Sequence, residues 1–300
     1  MPEPTAERPF GALLTAMVTP MTDDGAVDLD AAARLAVHLI DHGNDGLVIN
    51  GTTGEAPTTS DREQADLVRA VVDAVGRRAV VLAGAGSNDT RHAVALARQA
   101  ADAGADGVLA VTPYYSRPAQ AGVVAHLTAV ADAGDLPVML YDVPARTGIG
   151  LTPDSLRRLA EHPRITAVKD ATGDTAAALR LIPETGLAWY SGDDGMLLPF
   201  LSVGAVGLVS MAGHLVGDQL AQVISLTESG EPARAREVFR SVLPAVDLIA
   251  GSGNGALRSK LSLTLLGLLP SAAVRLPQVP ADEAETDEVR VALAAALGRL

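Results

Sequence analysis

The sequence predicts an α/β fold, a (β/α)8 TIM barrel carrying a C-terminal helical appendix. Three observations predict it. Short apolar runs alternate with helix-length amphipathic segments, mostly about 20–30 residues apart, eight times in succession. The strand signal stops near residue 230 and only helical periodicity follows. Polar residues of reactive type collect at the C-terminal ends of the apolar runs, where parallel barrels carry their chemistry. A doubly wound open sheet is the structural alternative, because strand order is invisible in a sequence.

The predicted strands are 13–18, 46–50, 79–83, 107–112, 137–141, 165–169, 188–191 and 206–211. The run at 188–191, with its short following helix, is the weakest unit. Between the strands, 28–42 repeats apolar residues at three and four through Leu29, Ala32, Ala33, Ala36 and Leu39, and 89–103 does so through Ala93, Val94, Leu96, Ala97 and Ala100. Asp28, Ser60, Asn88 and Thr152 stand where helix N-caps are needed, because their side chains accept from exposed N–H groups of the first turn. Gly43, Gly104, Gly134, Gly186 and Gly204 stand where helices should stop. Beyond the barrel, expected over 1–230, helices are expected at 232–249, 256–268 and 283–300 within a C-terminal region 231–300.

Composition bounds the function. With 48% hydrophobic and 20% charged residues the chain buries a large core, and aromatics at 3% leave that core to Ala, Val and Leu. The 36 acidic residues against 23 basic ones give a net charge of −13, which argues against a nucleic-acid or anionic-membrane surface. The absence of cysteine excludes disulfides, thiolate metal sites, iron–sulfur clusters and a cysteine nucleophile. No basic-then-apolar leader and no membrane-length apolar run occur, so a cytoplasmic protein is expected.

Lysine occurs only at Lys169 and Lys260, so lysine chemistry has two candidates. Strand two ends in Asn50-Gly51-Thr52-Thr53-Gly54-Glu55, strand four in Thr112-Pro113-Tyr114-Tyr115, strand five in Tyr141-Asp142-Val143-Pro144-Ala145-Arg146-Thr147-Gly148, strand six in Val168-Lys169-Asp170-Ala171-Thr172-Gly173 and strand seven in Ser191-Gly192-Asp193-Asp194. Three of the four tyrosines and one of the two lysines therefore share one rim. Strand alternation puts Ile165, Ala167 and Lys169 on one face, so Lys169 is expected to point into the barrel mouth. Desolvation disfavours an ammonium, and a neutral amine attacks a ketone; the bland reading is a strand-end lysine whose tip reaches water.

The other rim residues each have two readings. The glycines of 51–55 let backbone N–H groups approach a carboxylate or phosphate, or the segment is a turn whose threonines cap the next helix. Tyr141 suits an acid/base group beside the lysine, or a core tyrosine with its hydroxyl satisfied. Arg146 suits a bidentate carboxylate clamp, or a solvated loop arginine. Elsewhere, His38 and His42 read as a packing pair, Asp193 and Asp194 as loop or helix-start residues, and 251–255 as a turn between helices. No cofactor and no metal are expected.

Taken together, these rim motifs, with Ala16-Met17-Val18-Thr19-Pro20, resemble the class I, Schiff-base-forming pyruvate aldolase family, nearest to its dihydrodipicolinate synthase branch. The resemblance runs from Gly11 nearly to Leu300, and Arg146-Thr147-Gly148 separates that branch from the sialic-acid lyases. It implies a lyase in which Lys169 forms an imine with pyruvate and the derived enamine attacks aspartate semialdehyde, a step of diaminopimelate and lysine biosynthesis. It implies that Tyr141 moves protons, linked through Thr53 to Tyr115 of a neighbouring subunit with Thr52 in support. Backbone groups of Thr52 and Thr53 would hold the pyruvate carboxylate, Val209 would border it, and Arg146 would receive the second carboxylate. A homotetramer built as a dimer of dimers is implied.

The chain also departs from the family pattern. Asn254-Gly255-Ala256-Leu257 replaces a common Asn-Pro-x-Pro run. Asn88 and Tyr114 match the pocket of lysine-inhibited members, but Asp61, Gln64 and His92 stand where two histidines and an acid are common, which implies weak lysine inhibition. A related aldolase acting on a 2-keto-3-deoxy sugar acid, and a non-catalytic metabolite-binding barrel, are the alternatives.

Overall fold

The computed structural model describes residues 8–251 and 254–298. Eight parallel strands close into a barrel in chain order: β1 (Leu13–Ala16), β2 (Gly46–Ile49), β3 (Val80–Gly84), β4 (Gly107–Val111), β5 (Val138–Asp142), β6 (Ile165–Asp170), β7 (Ala188–Ser191) and β8 (Gly207–Ser210). Closure is made by β1, where Leu14 lies opposite Gly46 of β2 and Val209 of β8. The open-sheet alternative is thereby excluded.

Helices follow the strands: α1 (Leu29–Asp41), α2 (Asp61–Val75), α3 (Thr90–Asp102), α4 (Gln120–Asp132), α5 (Pro144–Thr147), α6 (Pro153–Ala160), α7 (Thr175–Thr185), α8 (Leu197–Ser202) and α9 (Gly213–Glu228). Three more complete the chain: α10 (Pro232–Ala250), α11 (Gly255–Leu265) and α12 (Glu283–Leu297). The turn expected at 251–255 falls partly, and the last two residues of the expected final helix fall wholly, outside the described residues.

Alternation sorts the apolar residues into layers. Leu14, Val48, Leu82, Leu109, Met139, Ala167, Tyr190 and Val209 point inward and fill the barrel, with Phe10 packed among them. Their neighbours along each strand face the helices, whose buried stripes of Ala, Leu and Val complete a second core. Each fully buried Leu or Val there contributes about 1.5–3 kcal/mol. A third cluster runs from Leu13 and Leu208 through Leu220 and Val223 of α9 to Phe239 and Val246 of α10. Apolar packing is therefore continuous across residue 230.

The caps correct two expectations. Asp28, Ser60 and Thr152 accept from first-turn N–H groups, and Ser60 with Glu63 forms a reciprocal capping box. The cap of α3 is Asp89, not Asn88, with Asp89 Oδ1 accepting from the Arg91 N–H at 3.0 Å. A carboxylate there also suits the positive end of the helix dipole. Gly134 is not a left-handed cap, because α4 ends on Ala133 in a right-handed conformation and Gly134 keeps a negative φ.

One more departure shapes the site. β6 carries one extra residue against β5: Val138 pairs with Ile165, yet Met139 pairs with Ala167. The bulge at Thr166 turns Ile165 out to the helix layer beside Val138, while Ala167 stays inside. Ile165 therefore does not share the face of Ala167 and Lys169.

Strand β1 ends two residues earlier than expected because its continuation bonds elsewhere. The Met17 N–H still reaches the Val48 carbonyl at 3.0 Å, but the Val18 N–H donates to His214 Nε2 at 3.2 Å. His214 in turn donates from Nδ1 to the Met211 carbonyl at 2.7 Å, so the imidazole is neutral and stitches the end of β1 to the end of β8. Among the described residues no helix is long and apolar enough to cross a membrane.

Burial pushes His214 down to about 4, against 6.5 when free. A depressed histidine contributes stability that is present above the unfolded value and is lost as pH falls through the folded one. The wild-type advantage over His214→Gln in urea unfolding should thus shrink between pH 7 and pH 4, by on the order of 3 kcal/mol. An unchanged difference across that window would show that His214 is not the acid-sensitive stitch.

Candidate active site

Lys169 sits one residue before the end of β6, inside the barrel mouth, with 6% of its surface exposed. Register places Tyr141 of β5 on one side of it and Tyr190 of β7 on the other. Its Nζ lies 4.2 Å from the centre of the Tyr141 ring. The amine therefore lies over the face of the phenol ring, inside the wall of the barrel. Of the two lysines, only Lys260 is ion-paired, with Glu55.

Tyr141 is buried at the end of β5 in the same interior cluster as Val209 and Tyr190. Tyr190 is accounted for as core, since its hydroxyl donates to the Gly11 carbonyl at 2.9 Å at the other end of the barrel. Behind Lys169 and Tyr141, alternation turns Asp142 and Asp170 outward. Asp170 accepts from Trp189 Nε1 at 2.9 Å and from the Thr172 N–H at 2.8 Å. Asp142 Oδ2 accepts from the Leu151 N–H at 3.1 Å, while its Oδ1 is buried without a partner.

The loop after β2 is tightly built. Thr53 is buried and Thr52 exposed, between Asn50 and Glu55, which both hold left-handed φ angles of 59° and 55°. Non-glycine residues adopt that region only when surroundings enforce it. Here Asn50 Nδ2 donates to the Gln64 carbonyl at 3.1 Å, and Thr19 Oγ1 donates to the Gly54 carbonyl at 2.6 Å. Gly84 of β3 lies so near that an added Cβ would meet the Asn50 carbonyl oxygen at 2.2 Å.

Tyr115 and Arg146 lie at the surface. The Tyr115 N–H donates to the Thr147 carbonyl at 3.2 Å, which joins the loop after β4 to the turn carrying Arg146. Tyr115 has φ 71° and is 89% exposed. Lys169, Tyr141 and Val209 thus line the barrel interior, Thr53 is buried in the loop after β2, and Tyr115, Arg146 and Thr52 are exposed.

The remaining polar candidates are structural. Asp194 is buried and accepts from Ser210 Oγ, the Met211 N–H at 3.0 Å and the Ala212 N–H at 3.3 Å. Asp193 caps the short turn after β7 by accepting from the Gly195 N–H. His38 and His42 stack with ring centroids 4.0 Å apart. Among the described residues no group of three or more His, Asp or Glu side chains is placed to hold a metal.

A model of the dihydrodipicolinate synthetase family matches residues 9–296. The chain is 53% identical to "4-hydroxy-tetrahydrodipicolinate synthase 2" of Streptomyces coelicolor over 98% of both chains. It is 53% identical to a 4-hydroxy-tetrahydrodipicolinate synthase of Acidothermus cellulolyticus over 96% of this chain and 93% of the relative. The crystal structure of a chloride-inhibited dihydrodipicolinate synthase of Acinetobacter baumannii, complexed with pyruvate, superposes with TM-score 0.92 at 34% identity, covering 97% of this chain and 100% of that one. That of the enzyme from Cyanidioschyzon merolae with lysine bound gives 0.92 at 38% identity, covering 97% and 99%. The chain belongs to the dihydrodipicolinate synthetase family. As a member it is a lyase of the class I aldolase type.

Within the Ser191-Gly192-Asp193-Asp194 motif, the glycine has a role of its own. Gly192, after β7, faces Lys169: a Cβ there would stand 3.1 Å from Lys169 Cγ and 3.1 Å from the Asp170 carbonyl oxygen. Backbone on one side and the lysine stem on the other leave only glycine unstrained. A glycine directly after a strand that registers beside the lysine strand was the available signal. Gly192→Val should retain the barrel by circular dichroism yet lower the rate of imine formation at Lys169 by about tenfold or more, because the stem is displaced. A wild-type rate in the valine variant would remove this role.

Proposed function

We propose that the chain joins pyruvate to aspartate semialdehyde through an imine on Lys169, the reaction of the 4-hydroxy-tetrahydrodipicolinate synthases it resembles, in the diaminopimelate route to lysine. The observation that carries this reading is a buried amine at a barrel strand end, 4.2 Å from a phenol ring. Lys169 Nζ adds to the keto carbon of pyruvate, and water leaves as the C=N bond forms. The imine then draws electrons from the methyl group, which loses a proton to give an enamine. The enamine carbon attacks the aldehyde, the new alkoxide takes a proton, and the amino group of the joined semialdehyde adds to the imine carbon, closing the ring and expelling the Lys169 amine.

Tyr141 is the acid/base group for these transfers, supported by its place over the amine. Thr53 hands protons between Tyr141 and Tyr115 of a second copy of the chain, with Thr52 in support. Backbone N–H groups of Thr52 and Thr53 receive the pyruvate carboxylate, with Val209 bordering it, and Arg146 receives the carboxylate of the semialdehyde. Tyr115 supports an assembly of more than one chain: a large ring 89% exposed on a left-handed backbone has surface to bury. The dimer of dimers implied by the family completes this arrangement.

The test is to incubate the protein with pyruvate, reduce with borohydride and locate the adduct by peptide mass spectrometry. The adduct is expected on Lys169, and to be lost in Lys169→Ala. Its absence from folded wild-type protein overturns the imine mechanism. Trying aspartate semialdehyde against sugar aldehydes then fixes the second substrate.

Lysine inhibition is expected to be weak. Asp61 Oδ1 is already engaged with His92 Nε2 at 3.0 Å, and Gln64 Nε2 donates to the Ala56 carbonyl at 3.0 Å. Asp61 is thus shared with His92 and Gln64 carries no charge, which weakens the pull on an incoming ammonium group. A sub-millimolar inhibition constant for lysine in a steady-state assay would contradict this.

A further inference from the structure

We infer that Lys260 is a positioning residue for the anion-binding loop, acting through Glu55 from the C-terminal helices. Lys260 lies on α11, is 0% exposed, and its Nζ donates to Glu55 Oε1 and, at 2.7 Å, to the Ala273 carbonyl. Glu55 Oε2 accepts from the Arg275 N–H at 3.1 Å. Both carboxylate oxygens are thus held by a segment more than two hundred residues downstream. Arg275 extends the same clamp by donating from Nη1 to the Thr58 carbonyl at 2.7 Å and to Glu63 Oε2 at 3.0 Å.

The clamp grips the residue that sets the loop. Glu55 is buried, holds φ 55°, and its N–H closes back on the Thr52 carbonyl at 3.1 Å. A left-handed glutamate has no intrinsic reason to stay so. Without the ammonium, its carboxylate would be a buried unpaired charge and would move toward water. The backbone of Thr52 and Thr53 would follow, because the turn closed by Glu55 orients it. This inference rests on the reading that these two residues hold the pyruvate carboxylate, and it assigns the C-terminal helices a part in substrate affinity as well as in packing.

The experiment measures KM for pyruvate, kcat, and the pyruvate dependence of the borohydride-trapped adduct in Lys260→Met, with melting temperature as the control for folding. Lys260→Met/Glu55→Leu replaces the pair by apolar residues, avoids a stranded charge and decides the matter if the single variant does not fold. The expected result is a folded variant with KM for pyruvate raised about tenfold or more, kcat at saturation within about threefold of wild type, and the adduct still on Lys169. A folded variant with wild-type KM, or with kcat lowered at unchanged KM, overturns the positioning role. Wild-type protein that forms no saturable pyruvate adduct removes the underlying reading, and this inference with it.

Discussion

The pairing of β5 with β6 is the constraint on which the rest of the site depends. In a parallel barrel each side chain faces in or out according to register, and a slip of one residue exchanges the faces. Tyr141 opposite Lys169 is inward, and Asp142 opposite Asp170 is outward. The extra residue at Thr166 is taken up at the far end of the strands, between Val138 and Met139, so the last four pairs are regular. Lys169 is thereby delivered beside a phenol and among apolar residues, whereas one position along it would stand beside carboxylates.

Around that fixed pair the mouth is assembled from segments tied to one another rather than to the strands. Thr19 holds the Gly54 carbonyl, His214 holds the end of β1, and Lys260 holds Glu55. Each tie joins a different pair of segments, and together they fix the chain after β1, β2 and β8. Preorganisation of this kind lowers the entropy that a substrate must offset on binding. Tyr115 and Arg146 are exposed on the segments after β4 and β5, which the bonds from Tyr115 N–H to the Thr147 carbonyl and from Thr112 Oγ1 to the Ile149 carbonyl join.

How much of this was legible follows from the range over which each feature is determined. The eight strands and the helices between them were legible because alternation and helical periodicity are local patterns, whereas the closure of the strands into a barrel in chain order is not. Strand ends at β1 and β8 were drawn too long, because Val18 and Met211 are apolar like strand residues but bond to His214 and Asp194. The bulge at Thr166 belongs to a pair of strands and leaves no trace in either alone. Lys260 was visible as one of two lysines, yet its partner lies 205 residues away and no spacing rule connects them. Asp89 displaced Asn88 as a cap because both residue types suit that position and only the backbone angle decides.

The two outward carboxylates behind the site would repel if both were charged. Burial, opposed by the Leu151 N–H and reinforced by the charge on Asp170, pushes Asp142 up to about 7. Asp170 has its charge satisfied by Trp189, Thr172 and the Thr172 backbone, whereas Asp142 has one oxygen without a partner. The raised value for Asp142 favours its protonated form, which relieves the repulsion that the register imposes. The outward pair is thus a consequence of the register that places Tyr141 beside Lys169, and the neutral form of Asp142 makes that register tolerable.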